Sequence, residues 1–489
     1  MNYVRKLVVL LSFTLYTLLF AQIACARNNP AKYIQSISTK AQKDNVLRMD
    51  VEINFKKALD YTVEYWKADA ENFIQKTRLH HSDKGKTKTT LVFLEANSKY
   101  NFKVIVHKGK KRISSNAYPF TTPLMPSDVP EYTMEMDSLP REVPGYLILG
   151  RSHQKPGYLT IINTAGKVVW YQNMGDELVL VADFDTIHQT IQCNIGRQRG
   201  DKYTGKYLQV MDLYGNILLR KDVTSMYVHH ETRRMPDGNL LMVNYVPKQF
   251  DLTSQGGTAN ETVFGDGFTI MDMSGNVLYQ WDCFGEKNPA QEPQIMLNAV
   301  HQWDDDKGHK KYNLDLGKGM SENLLKDDWL HANSVNYDAE GNFYISFNNL
   351  SEIWKVNKET KKVVYRLGAG GNLTMLGSNS MSGVHCVNVL EKDKLLFLDN
   401  GCKTQHSKVW ECKIDEQAKT AEMKLMIELP TSLSTVNRGG VNLIENKYLI
   451  INSTTSNSIL FTDLDGRILR ILKTPHQTYR ANYIPPFDY

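Results

Sequence analysis

His331-Ala332-Asn333-Ser334-Val335-Asn336-Tyr337 and His385-Cys386-Val387-Asn388-Val389-Leu390-Glu391 open two segments of one pattern. The first continues as DAEGNFYISF (338–347), the second as KDKLLFLDNG (392–401). Each reads as an apolar strand, a tight polar turn and a second apolar strand. The same unit recurs elsewhere, extended by a hydrophobic-Asp-x-x-Gly-x-hydrophobic element. LLMVNY (240–245) leads to FTIMDMSGNVLYQW (268–281), and YLIINS (448–453) leads to ILFTDLDGRILRIL (459–472). YLTIINTAGKVVWYQ (158–172) and YLQVMDLYGNILLRK (207–221) repeat the second half. About six copies begin near Gly145, Leu178, Val228, His331, Val384 and Arg438.

Repeats of this length, with few helical periodicities between them, point to an all-β fold: a six-bladed β-propeller over residues 140–489. A parallel β-helix or an extended sandwich is the alternative, but the repeats are long for a β-helix. The stretch from Cys283 to Leu330 breaks the rhythm and carries Asp304-Asp305-Asp306. It reads either as a solvated insertion or as a lid over the channel.

Upstream, TVEYWKA (62–68), TTLVFL (89–94), YNFKVIVHK (100–108) and NAYPFTT (116–122) alternate apolar and polar residues between polar turns. They predict a small β-sandwich over 33–122, joined to the propeller by a proline-containing linker over 123–139. Tyr65-Trp66, Leu94-Glu95-Ala96-Asn97-Ser98-Lys99-Tyr100 and Phe120-Thr121-Thr122 make this segment resemble a fibronectin type III module.

The chain has 489 residues, 42% hydrophobic and 23% charged, and a net charge of +5. No dense basic run with interleaved aromatics is present, which argues against nucleic acid as a partner. Arg5 and Lys6 precede an apolar run from Leu7 to Phe20, and Ala24-Cys25-Ala26 follows. This is the layout of a cleavable export signal over 1–26, and the run is short for a membrane span. Gln22 stands where a lipid-anchoring signal prefers Leu, which favours cleavage over lipidation at Cys25. Cleavage leaves five cysteines. Cys402 and Cys412 flank a polar stretch between two strand-like runs, and read equally as a disulfide or as two buried thiols. No Cys/His spacing suited to zinc occurs, so no metal is expected.

Aligning the repeats by their turns (Gly238-Asn239, Gly341-Asn342, Asp393-Lys394 and Asn446-Lys447) and counting back equally reaches His230, Asn333, His385 and Arg438. His331 lies two residues before Asn333, so ordinary strand alternation places both on one face. Each residue alone reads as a hydrogen-bonded strand end. Together, several imidazoles, an amide and a guanidinium aimed at one channel suit an oxyanion or a reaction. Neutral imidazole serves as nucleophile and base near neutrality, while amide and imidazole N–H groups donate to developing negative charge. No G-x-S-x-G elbow and no P-loop is present.

These residues resemble the bacterial arylsulfate sulfotransferases. The likeness rests on His229-His230-Glu231 with Pro236-Asp237-Gly238-Asn239, and on Asp328-Trp329-Leu330-His331-Ala332-Asn333-Ser334. It extends to Leu350-Ser351-Glu352-Ile353-Trp354-Lys355, and to Gly383-Val384-His385 with Phe397-Leu398-Asp399-Asn400-Gly401. The resemblance implies a periplasmic six-bladed propeller, often a homodimer. Such an enzyme transfers a sulfuryl group from a phenolic sulfate ester to a phenol through a sulfohistidine, with no nucleotide donor and no cofactor. It implies His385 as nucleophile, His331 and Asn333 as its supports, and His230 as a further channel histidine with His229 adjacent. Two positions depart from the family pattern: Val384 replaces a Gln, and Asn348 stands where an Arg is usual. Arg438 is the guanidinium that the repeat alignment offers in its place. Two displacements at sulfur imply ping-pong kinetics. A non-catalytic propeller holding an anionic or sulfated ligand, and a sulfatase using water as acceptor, are the competing functions.

Overall fold

The computed structural model describes residues 30–197, 204–255, 257–291, 302–304, 310–312, 329–377, 381–487 and 489. The export signal, Cys25, Asp305, Asp306 and Asp328 lie outside the described residues, as does most of the stretch from Cys283 to Leu330. Within that stretch Gln302–Asp304 pairs with Lys310–Tyr312. The chain is all-β, in many antiparallel sheets, and divides into two compact units: Met1–Ser127 with Phe487–Tyr489, and Asp128–Pro486.

The first unit holds two sheets. One contains Ile34–Ala41, Met49–Phe55 and Gly85–Leu91; the other is built on Leu59–Lys67 paired with Lys99–Lys108. Val51, Ile53, Val63, Tyr65, Phe102 and Val104 fill its core. Tyr65 donates to the Val92 carbonyl (2.7 Å), and the Tyr100 hydroxyl accepts from Glu95 N (2.9 Å).

The second unit contains six sheets of four or five strands among its described residues. Their innermost strands are Tyr146–Gly150 with Ala481–Ile484, then Val179–Asp185, Val228–Arg234, Ala332–Tyr337, Val384–Glu391 and Gly440–Ile444. Each lies beside the next and the last returns to Ala481–Ile484, so the inner strands form a closed ring. The sheets open within two residues of the six repeat starts.

The Asp-x-x-Gly signature is a turn with its own hydrogen bonds. Asp272 Oδ1 accepts from Ser274 N and Asn276 N, both at 2.8 Å, while Gly275 takes φ +85°. Asx-turns favour Asp for this reason, and Gly supplies the positive φ. The strands between turns are apolar on both faces because each sheet packs against two neighbours. Phe343, Ile345 and Phe347 pack toward Leu241, Phe268 and Trp281 of the preceding sheet, whereas Tyr344 packs with Phe397 and Trp410 of the following one. Period-2 alternation divides one strand between two cores. Each fully buried large side chain contributes roughly 1.5–3 kcal/mol.

Two terminal segments complete sheets begun elsewhere. Ala481–Ile484 pairs with Tyr146–Gly150, from Leu149 opposite Ala481 to Tyr146 opposite Ile484. Thr133–Asp137, inside the stretch read as linker, pairs with Ile468–Lys473. Arg470, buried in the adjacent strand, clasps it together with Glu142. Its Nε and Nη2 donate to Asp137 (3.0 and 2.8 Å), and Nη1 donates to the Thr164 carbonyl at 2.7 Å. Cys402 and Cys412 are buried and not joined in a disulfide, as are Cys193, Cys283 and Cys386; burial pushes the Cys412 thiol up to about 12. Among the described residues no helix is long and apolar enough to cross a membrane.

Replacing Arg470 with Met should lower unfolding free energy by about 2–4 kcal/mol, since it strands a buried carbonyl and releases the Asp137 strand. Denaturant titration of both proteins reads this directly. An unchanged midpoint would contradict the clasp.

Candidate functional site

Three inner strands reach the ring with an irregularity near the N-terminal end. The register shifts between His229 and Thr232, between Ala332 and Ser334, and between His385 and Asn388. His230, His331, Cys386 and Arg438 have φ of +55°, +58°, +54° and +58°. A non-glycine residue held there costs about 1–2 kcal/mol. Bulges of this kind re-aim side chains beside functional sites. Gly383 (φ +96°) precedes Val384-His385 with its α-carbon against Cys402; an added Cβ would lie 2.2 Å from Cys402 Sγ.

The irregularities bring three of the expected histidines together. The His230 and His331 rings meet edge to face with centroids 5.0 Å apart. The Tyr479 ring lies 5.4 Å from His230 and 5.6 Å from His385, and its hydroxyl is 3.1 Å from His385 Nε2. His230 and His385 are buried and His331 is half-buried. Burial, then the charges of Arg480 and His331, hold the His385 imidazole well below its ordinary value, with the Gly439 backbone opposing. Burial, then His229, His331, His385 and Arg480, do the same for His230. Both imidazoles are therefore neutral near pH 7.

Asn333 takes a different place from the one alternation suggests. The register shift between Ala332 and Ser334 breaks the face it would share with His331. Its Oδ1 accepts from Ser346 Oγ (2.7 Å) and its Nδ2 donates to the Val384 carbonyl (2.8 Å). Asn348 Nδ2 donates to the same carbonyl at 3.4 Å, and Asn348 N to the His331 carbonyl at 2.9 Å. Ser351 Oγ accepts from Gly383 N (2.9 Å) and Ser334 Oγ from Val387 N (2.8 Å). The backbone on both sides of His385 is thus gripped by the neighbouring sheet. His229 is buried behind His230, stacked on Tyr245 with centroids 3.9 Å apart. Arg438 is half-buried, its Nη1 3.5 Å from Gln477 Oε1, and its charge reaches His385.

Two residues at the centre of the cluster were not among the candidates, Tyr479 and Arg480. Arg480 Nη1 donates to Glu231, and Nη2 donates to the Asn333 carbonyl (3.2 Å). Burial opposes its charge, but Cys386, Glu231 and Tyr479 outweigh burial and raise its pKa. Below it, burial raises buried Asp183 to about 6 against the charge of Arg233. Tyr479-Arg480 immediately precedes the strand that closes the ring. The signal for them was topological: a strand after the sixth repeat must pair with the first sheet, so its opening residues share the ring position of the histidines.

A family model for arylsulfotransferase (ASST) matches residues 82–426. The chain belongs to that family. The family is one of arylsulfotransferases, and the match includes His230, His331, Asn333, Asn348 and His385 while ending before Arg438, Tyr479 and Arg480. No curated protein matches the chain. Among solved structures the chain is similar to a Bacteroides caccae protein of unknown function, at 11% identity and TM-score 0.41, covering 70% of this chain and 99% of that one. It is also similar to virginiamycin B lyase from Staphylococcus aureus, at 10% identity and TM-score 0.33, covering 70% and 99%. Likenesses this distant carry no argument about the chemistry of this chain.

Asn333→Ala should lower stability by about 1–3 kcal/mol, because it removes the shorter of two bonds to the buried Val384 carbonyl and one of the two bonds of the Ser346 hydroxyl. It should also slow sulfuryl transfer by at least about 10-fold by loosening His385. Thermal unfolding and steady-state assays on one preparation read both. Lost activity at unchanged stability would make Asn333 a substrate contact instead.

Proposed function

We propose that this protein is an exported aryl-sulfate sulfotransferase that moves a sulfuryl group from a phenolic sulfate ester to a phenol in two displacements through His385. The observation that carries this is a buried imidazole biased to its neutral form, with Nε2 facing a tyrosine hydroxyl and with further imidazoles and guanidinium groups around it. Family membership supports the reaction class.

In the first displacement the Nε2 lone pair of His385 forms an N–S bond. The aryl S–O bond breaks, and its electron pair leaves with the phenolate. In the second, the acceptor oxygen forms a new S–O bond, and the N–S pair returns to the imidazole. His331 and His230 stand beside the transferring group, and their N–H groups suit its equatorial oxygens. Arg438, half-buried at the same end of the ring, supplies the guanidinium that Asn348 lacks; Arg480 is committed to Glu231 and Asn333. Asn333 and Asn348 act by holding the backbone before His385. The chemistry needs no nucleotide donor.

The fold that supports this is a six-bladed propeller closed at two places, by Ala481–Ile484 and by Thr133–Asp137. A fibronectin type III-like sandwich over 33–122 precedes it; the bond from Glu95 N to the Tyr100 hydroxyl is the tyrosine corner such sandwiches use. The propeller then begins at Thr133 rather than at 140, which shortens the linker. Residues 1–26 are removed on export to the periplasm, where the protein forms a homodimer.

Purified protein given 4-nitrophenyl sulfate and phenol should release 4-nitrophenol and form phenyl sulfate. His385→Ala should lose at least about 10³-fold in rate. No transfer by the wild type across several donors would overturn the proposal. Donor binding without turnover would support the non-catalytic propeller that Asn348 favours.

Because the His385 pKa is lowered, its nucleophilic form persists as pH falls through about 6.5, the ordinary imidazole value. The pre-steady-state burst of 4-nitrophenol should therefore keep its rate across that pH in stopped-flow measurements. A loss centred near 6.5 would contradict a neutral, buried nucleophile.

A further inference from the structure

Behind His230, away from His385, three buried groups stand in line. His229 Nδ1 and His230 Nδ1 are in hydrogen-bond contact. On the far side of the same ring, His229 Nε2 lies 3.6 Å from Asp266 Oδ1. His229 and Asp266 are fully buried, and Tyr245 stacks on the His229 ring. Their positions are set by unlike elements. His229-His230 sits at the register break of Val228–Arg234, whereas Asp266 lies in the long strand Glu261–Met271, with Asp266 N donating to Cys283 Sγ at 3.4 Å.

With Asp266 ionised, this line admits one good proton arrangement. One of the two Nδ1 atoms must donate and the other accept. If His229 Nδ1 carried the proton, its Nε2 lone pair would face the Asp266 carboxylate, lone pair against anion. With the proton on His229 Nε2, that nitrogen faces the carboxylate at ion-pair distance, 3.6 Å, and His229 Nδ1 accepts from His230 Nδ1–H. A buried carboxylate beside an imidazole fixes the tautomer in this way. The consequence reaches the site: His230 is then protonated at Nδ1, and its Nε2 is the basic nitrogen. The groups facing His230 are His229, His331, His385, Arg480 and Tyr479. The cations among them favour an unprotonated Nε2.

We infer that Asp266, His229 and His230 form a carboxylate–imidazole–imidazole relay that makes His230 Nε2 the base for the acceptor phenol, with Asp266 and His229 as positioning residues. This rests on the sulfuryl transfer proposed above. In the second displacement the phenol O–H gives its proton to His230 Nε2 as the phenol oxygen bonds to sulfur. The S–N bond to His385 breaks, and its electron pair returns to the imidazole. His230 then gives the proton to water, and the phenolate released in the first displacement takes up a proton from solution, which closes the proton balance over one turnover. The relay has no part in the first displacement when the leaving phenolate is stable without a proton.

Asp266→Asn tests this through a split that general loosening of the fold would not produce. The burst of 4-nitrophenol from 4-nitrophenyl sulfate should stay within about 3-fold of wild type. Transfer to phenol should fall by at least about 10²-fold, a modest share of the loss seen when a triad aspartate is amidated. Transfer to a polyfluorinated phenol, already ionised at the assay pH, should be nearly spared, and Asp266→Glu should recover part of the rate with phenol. Equal losses in both half-reactions, or for ionised and un-ionised acceptors, would overturn the relay. A second measurement needs no variant: long-range ¹H–¹⁵N correlation on wild-type protein labelled at histidine should show His229 protonated at Nε2 and His230 at Nδ1. His230 protonated at Nε2 would overturn the relay whatever the kinetics. If the wild type transfers no sulfuryl group, the proposed function and the relay's catalytic use fall together, and the tautomers alone decide whether the proton arrangement exists.

Discussion

An asparagine side chain reaching from one sheet to a backbone carbonyl of the next is the interaction on which the ring depends. Asn482 Nδ2 donates to the Ala182 carbonyl (2.9 Å), Asn194 to Val228 (3.0 Å) and Asn333 to Val384 (2.8 Å). Asn388 Nδ2 donates to Val441 (2.8 Å) and Asn442 to Ala481 (3.1 Å). These are five of the six junctions in the ring. Each inner strand is the edge of its sheet, which leaves carbonyls that must find donors in a dry interior. An amide from the next sheet satisfies each carbonyl and sets the spacing between sheets. The junction between the third and fourth sheets is different. It is where His230 meets His331, and where Trp329 N donates to the Phe264 carbonyl at 3.1 Å. The regular device gives way where the histidines gather.

The charges under the site follow a related logic. Arg480 and Glu231 are almost fully buried, with Arg233 and Asp183 beside them. Such a cluster is costly to desolvate and is no argument for stability by itself. Its effect at the site is electrostatic: a buried guanidinium close to His385 and His230 penalises imidazolium and keeps both rings in the form that can attack or accept a proton. Glu231 compensates the guanidinium on its far side, so positive potential is presented to the imidazoles and to any anion beside them.

Much of this was legible in the chain. The Asp-x-x-Gly turn has a local cause, a carboxylate accepting two backbone N–H groups, so it recurs wherever the unit recurs. His230 and His385 could be gathered by counting from those turns because inner strands have similar lengths, and His331 by its place two residues before Asn333. The count failed in detail for Asn333 and His331, because the extra residues of a bulge shift the face without altering composition. Asn333 is instead one member of the asparagine ring, which alternation within a strand does not reveal. Tyr479 and Arg480 were invisible because their place comes from ring closure by Ala481–Ile484, a pairing between the two ends of the unit. Asp266 and His229 pair across strands whose register no local pattern dictates.

The central claim is that sulfur passes through His385. Mixing the protein with a donor aryl sulfate in the absence of acceptor, quenching under basic conditions and mapping the peptides by mass spectrometry tests it directly. The result expected is one added sulfuryl group on the peptide containing Val384-His385, discharged on addition of phenol at the rate of turnover. A sulfuryl group on another residue, or product formed with no labelled protein at any time, would contradict the account.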